Sequence, residues 1–243
     1  MNLEKMRENL IGFLREISEV ILTLLIIILV SRLVFGANML VPLVAVSSKS
    51  MLHQSDSWKS WLISQGFSEK EIEKFPMQNG FDKGDMILVI TPNGKGKIFN
   101  FEFPTLFPET KLGDVIIYER DLAHFGGEPI IHRVVGIAHI KNWNLERIDG
   151  TLSCISAEEI EKKFIPMVVD CINRKQNCPY KSYPKKGDFN FYITKGDNNA
   201  AVDQCGTIAY PVNDEQLLAR GWIRLPYIGW LKLLLNEIIN LFL

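Results

Sequence analysis

The run Val20-Ile21-Leu22-Thr23-Leu24-Leu25-Ile26-Ile27-Ile28-Leu29-Val30 limits what this chain can be more than any other stretch, because threonine supplies its only polar side chain. A bilayer span needs about 20 residues. Residues 17–35 reach that length if Arg32 snorkels its charge to one interface. One transmembrane helix is therefore expected over 17–35. A cleavable signal peptide would carry a small-residue site soon after its apolar run, and no Ala-x-Ala pattern occurs before Leu43. The segment is expected to stay as an anchor. Lys5, Arg7 and Arg15 precede it, which favours an inside amino terminus and an outside domain.

From Asn38 onward the pattern is short apolar segments punctuated by Gly, Pro, Asn and Asp. Residues 86–91, 114–118, 130–137 and 189–194 read as β-strands rich in β-branched side chains. Two of them follow Lys83-Gly-Asp85 and Leu112-Gly-Asp114, pairs that turn the chain before a strand starts. The expectation is a mainly β domain over 38–225. It is interrupted by helical insertions at 57–75, with a capping-box-like Ser68-Glu-Lys-Glu, and at 157–172 within a longer 150–184 stretch. The runs Asn93-Gly-Lys-Gly-Lys97 and Pro184-Lys-Lys-Gly-Asp188 read as loops. The tail 226–243 places Lys232, Asn236, Glu237 and Asn240 near helical spacing among apolar residues. An amphipathic helix lying in the membrane interface is expected there, with Tyr227 and Trp230 at headgroup level, and packing on the domain's own core is the alternative.

With 27 basic and 28 acidic side chains the net charge is -1, so no nucleic-acid footprint shows. The four cysteines lack paired Cys-x-x-Cys spacing and the four histidines are scattered, so no metal or other cofactor is expected. Beyond an anchor, an oxidising compartment would permit disulfides. Cys171 with Cys178 is the expected pair, and four reduced thiols are the alternative.

The chemistry lies in three places. Val44-Ala-Val-Ser-Ser-Lys-Ser-Met51 follows the anchor and sets Ser48 and Ser50 two residues apart. In an extended chain both would face one reacting carbonyl. A serine needs a base, and the base needs an acceptor on its far nitrogen. His132 lies in the strand-like Ile130-Ile-His-Arg-Val-Val135, where apolar neighbours equally suit a core histidine. His53 falls on the opposite face of an extended chain from Ser50. Tyr192-Ile-Thr-Lys-Gly-Asp-Asn-Asn-Ala-Ala-Val-Asp203 supplies two carboxylates, Asp197 and Asp203, around a turn. Lys49 and Lys195 are the alternative bases of a Ser/Lys dyad.

Taken together, Ser-x-Ser-Met after an anchor, a strand-borne His-Arg-Val-Val, and Thr-Lys-Gly-Asp-Asn-Asn with an Asp six residues beyond Asp197 resemble type I signal peptidase. The histidine is similar to that of the archaeal and endoplasmic-reticulum branch, as is the closing Leu225-Pro-Tyr-Ile-Gly-Trp230. The resemblance implies a coiled β-sheet catalytic domain, anchored by residues 1–37 on the extracytoplasmic side of the cell or endoplasmic-reticulum membrane. Such a domain removes signal peptides from secretory preproteins, with small residues preferred at the first and third positions before the cut. It implies Ser50 as nucleophile, His132 as base, Asp203 as orienting acid, Asp197 as a second important carboxylate, Ser48 as oxyanion donor and Met51 as part of the substrate pocket. Implied partners are preproteins, the bilayer, and the Sec translocon or further peptidase subunits. Lys49 stands where that family has glycine, and Leu52-His53 where it has an acidic or small residue and proline. A noncatalytic anchored β-domain is the remaining alternative.

Overall fold

The computed structural model describes residues 3–98, 101–124, 127–174, 178–205 and 208–242; parts of the expected 1–37, 150–184 and 226–243 segments lie outside these. Helix α1, Leu3–Phe35, is longer than the expected span, and most of its apolar portion Leu10–Phe35 is exposed, with contact to the domain at its final turn, where Phe35 packs against Trp222. By length and composition this helix could cross a membrane. Its end is tied to the sheet: Thr91 donates its N–H to Phe35 O at 2.7 Å, and Asn38 donates to Leu218 O at 2.9 Å.

The chain then makes β1 (Leu43–Ala45), α2 (Ser57–Ser64), α3 (Glu69–Ile72), β2 (Met86–Ile90), β3 (Asn93–Ile98), β4 (Phe101–Glu109), β5 (Val115–Tyr118), β6 (Ile130–Lys141) and β7 (Asn144–Gly150). A helical stretch, α4 (Ala157–Glu159) to α5 (Ile165–Arg174), precedes β8 (Phe189–Lys195), β9 (Val212–Asn213), β10 (Leu217–Leu225) and α6 (Gly229–Phe242). Eight strands form one curled antiparallel sheet in the order β1-β2-β10-β5-β6-β8-β9, with β7 also on β6. β3 and β4 form a separate hairpin. Mainly β structure is thus what the strand pattern leads to.

The two Gly-Asp turns work as read. Gly84 and Gly113 have φ of 91° and 87°, a region glycine enters without steric cost. Asp85 and Asp114 accept backbone N–H bonds from Asp82 and Lys111. Both aspartates then pair with arginines of β10, Asp85 with Arg224 and Asp114 with Arg220, which fastens β10 between β2 and β5.

Two expectations need correction. Residues 57–75 are two helices, because Gly66 at φ 96° ends the first turn sequence and Ser68 starts the next with a complete capping box. Asn93–Ile98 is a strand rather than a loop, held by pairing with β4. The helical segments read as insertions pack into the core: Trp58, Leu62, Phe75, Phe164 and Val168 lie with Val135, Ala138, Phe191 and Ile193 of β6 and β8. Between α4 and α5 one turn, Ile160–Phe164, widens to a π-helix. Pro166 explains it, since a proline has no N–H for the ordinary bond to residue 162.

All four cysteines are paired, Cys171 with Cys178 as expected and Cys154 with Cys205 across 51 residues.

Candidate active site

After β1 the chain does not stay extended. Val46 is clamped to the Gly84-Asp85 turn by two backbone bonds of 2.9 Å, and Leu52 N–H closes a turn on Lys49 O at 3.1 Å. Ser48 and Ser50 nevertheless meet, with their Oγ atoms 3.1 Å apart. The bend brings them together, not the alternation of a strand. Met51 drops beneath into the apolar layer of Phe81, Ile87 and Val115 and is 1 % exposed. It lies outside the cavity wall, and a side chain buried that deeply supports the turn from below.

Ser48, Ser50 and His132 line one cavity of about 600 Å³, whose apolar wall includes Val44, Ala45, Ile117 and Ile131. His132 is fixed by β6, which pairs with β5 on one side and β8 on the other. Its Nδ1 lies 2.7 Å from Asp203 Oδ2. A carboxylate only accepts, so the proton is assigned to Nδ1 and the neutral ring presents a lone pair at Nε2. Asp203 is fully buried, and the same oxygen also accepts from Tyr118 OH at 2.8 Å and Thr194 Oγ1 at 2.7 Å. Burial, with the Asp203 charge next, pushes the Tyr118 phenol well above its ordinary range, so Tyr118 stays a donor.

Asp197 does different work. It is buried, and its oxygens bind Arg133 Nε and Nη2 at 2.9 and 2.7 Å and His53 Nε2 at 2.7 Å. Burial alone would raise this carboxyl; the Arg133 guanidinium and then the His53 ring outweigh it and hold the group below the ordinary range. Arg133 is wholly buried and also donates to the carbonyls of Pro76 and Gly113 at 2.8 Å. The two carboxylates are thus separated by partner: Asp203 on the candidate base, Asp197 on the arginine beside it.

The turn that carries Asp197 also grips the serines. Asn198 N–H donates to Ser50 O at 2.7 Å and its side chain to Lys49 O at 3.2 Å. Lys195 is buried, with its ammonium 3.0 Å from Gly196 O, 3.3 Å from Asp197 O and 4.7 Å from the Trp61 ring centre. Burial lowers its pKa, against the pull of Asp197 and Asp203. It braces the turn and lies outside the cavity lining. Lys49 is exposed and outside it too.

Sequence reasoning missed Tyr118, Thr194, Gly196, Asn199 and the partners of His53. Gly196 leaves room at the base: a Cβ there would stand 2.8 Å from His132 Nε2 and 2.7 Å from Asn199 Nδ2. Asn199 lines the cavity. Strand register brings Tyr118 to the site with no motif to mark it, whereas Thr194, Gly196 and Asn199 lie within the Thr-Lys-Gly-Asp-Asn-Asn run, whose residue types do not reveal these contacts.

Chemically, the arrangement offers two hydroxyls and an imidazole with its far nitrogen anchored, at the edge of an apolar cleft. Ser50 Oγ rests against Ser48 rather than the ring, as is common before substrate tightens a site. No protein-family model matches this chain, and no curated protein matches it either.

Proposed function

We propose that this protein is a membrane-anchored serine endopeptidase of the type I signal peptidase kind, which removes signal peptides from secretory preproteins. One observation carries the reading: Ser50 and His132 line the same cavity, and His132 has its other nitrogen on a buried aspartate. In the reaction His132 Nε2 takes the proton of Ser50 Oγ as that oxygen attacks the scissile carbonyl. It then returns the proton to the leaving amine. Asp203, held by Tyr118 and Thr194, keeps the ring in the tautomer this requires. Ser48 Oγ and the Ser50 N–H are the donors for the developing oxyanion, each typically worth roughly 3 to 4 kcal/mol.

The surroundings support that reading. Two disulfides suit an oxidising compartment, and α1 is long and apolar enough to hold the domain at a membrane. The apolar cavity wall suits a peptide segment with small side chains before the cut. The Ser/Lys alternative is weakened because Lys195 serves backbone carbonyls away from Ser50.

The test is cleavage of a purified preprotein in lipid vesicles by the wild type, Ser50→Ala and His132→Ala. Both variants are expected to stay folded and membrane-bound and to lose cleavage. Full activity in either sinks the proposal. A wild type that cuts nothing, alone or with added membrane extract, favours the noncatalytic scaffold.

A further inference from the structure

His53 stands three residues past Ser50 and lines no part of the cavity, yet it is seated as tightly as any side chain near the site. Its Nδ1 lies 2.9 Å from Gln78 O and its Nε2 lies 2.7 Å from Asp197 Oδ2. A carbonyl and a carboxylate can only accept. Both bonds therefore exist together only when each ring nitrogen carries a proton, and one breaks when the ring loses a proton. The ring stacks on Trp58 of α2 at 4.4 Å and 17°, and the same indole lies 5.0 Å from the Arg133 guanidinium. Gly80, at φ 56°, admits this packing: a Cβ there would come within 2.7 Å of the ring and 2.4 Å of Met51 O. The charged groups around the ring are Asp197 itself, Arg133 across that carboxylate, Lys195, whose ammonium donates to the Asp197 carbonyl, and Lys59 at the Trp58 ring.

Asp197 consequently touches both halves of the site at one remove. His53 leads back to Ser50, and Arg133 directly follows His132. We propose that His53, carrying both protons, is a positioning residue that locks the 49–53 turn onto the Asp197–Arg133 pair and so holds the nucleophile in register with its base. Helix α2 acts here by backing the ring with Trp58. The inference rests on the peptidase reading for its kinetic consequence, and on the hydrogen-bond geometry alone for the state of the ring. A backbone bond from Asn198 also holds Ser50, so losing the lock loosens the site without dismantling it.

The experiment compares full-length wild type and His53→Gln in lipid vesicles, measuring kcat and KM for a purified preprotein against pH. Glutamine's amide can still donate but cannot reach both acceptors as a charged ring does. The expected result is a kcat lower by roughly tenfold to a hundredfold with KM unchanged. A merely structural role would lower the folded fraction and leave kcat per folded enzyme unchanged. In parallel, the full chain with ¹⁵N-labelled histidine in detergent micelles should show two ring N–H signals that vanish in His53→Gln, at the pH of greatest activity. An unchanged kcat in His53→Gln overturns the proposal, as does a ring bearing one proton at that pH. If the wild type cleaves nothing, the peptidase reading falls and the ring signals, read at neutral pH, decide the lock alone. They decide it also if His53→Gln fails to fold.

Discussion

Gly196 keeps open the face of His132 from which a proton would be taken. Gly196→Ala should press a methyl group on Nε2 and on the Asn199 amide, lowering cleavage at least tenfold while the melting temperature moves only a few degrees, by scanning calorimetry. The two aspartates should part in the same assays. Asp203→Asn is expected to lower the cleavage rate by roughly a thousandfold or more through loss of the ring's orientation. Asp197→Asn should instead cost about 3 to 5 kcal/mol in chemical denaturation, because it strands the buried Arg133 charge. The depressed Asp197 carboxyl also sets a pH dependence. Its contribution is complete above its ordinary value of 3.8 and is lost as pH falls through the lower folded value. Acid unfolding below about pH 4 should therefore be shallower in Asp197→Asn. At this scale Ser50, His132 and the two aspartates were legible, because a hydroxyl, a strand-borne imidazole and a turn carboxylate each have few other uses together. Which aspartate meets the histidine was not, since that depends on a β6–β8 register interrupted by a bulge between Val134 and Gly136. His53 was misjudged for a related reason: reading the segment as extended hid the turn that swings it onto Asp197.

Among the elements, those legible in advance were the ones buried on both faces. β5 and most of β6 are covered throughout, and their residues are largely apolar, with His132 and Arg133 the buried exceptions. β3, β4 and β7 were not legible: β3 is glycine and lysine, β4 contains Pro104 and Pro108, and β7 is charged on an exposed face. Such strands exist because a partner pairs with them, and their composition alone reads as loop. The helical stretches were found but their burial was not, since their apolar residues fit a partner surface as well as a core. The disulfide Cys154–Cys205 joins the base of the α4 helix to the loop two residues beyond Asp203. With its ends 51 positions apart in sequence, it should contribute about 4 kcal/mol by constraining the unfolded chain. Cys154→Ser with Cys205→Ser, compared with the wild type in urea, measures this. Cleavage should fall in the same variant because Asp203 loses a nearby tether.

Across the whole molecule, apolar surface collects at the two ends of the chain. Beyond α1, Tyr227, Ile228, Leu231, Leu234 and Leu235 of the closing segment are exposed. The start of α6 is nonetheless fastened to the domain: the Trp230 indole covers Gly84, and Tyr227 N–H donates to Asp85 Oδ1 at 3.1 Å. The tail thus has a packed beginning and an outward apolar face. Brominated lipid should quench tryptophan fluorescence in vesicles, and Leu231→Glu with Leu235→Glu should reduce that quenching. The join between α1 and the sheet has a further consequence. Phe35 O is bonded to β2's end and Gly36 is hemmed in by Thr91, Gly96 and Thr105, so no slack links the helix to the domain. With α1 in a bilayer, Ser50 would ride at a set height above the lipid, and under the proposed peptidase function the distance from membrane to cut would be a length read off by the protein as by a ruler.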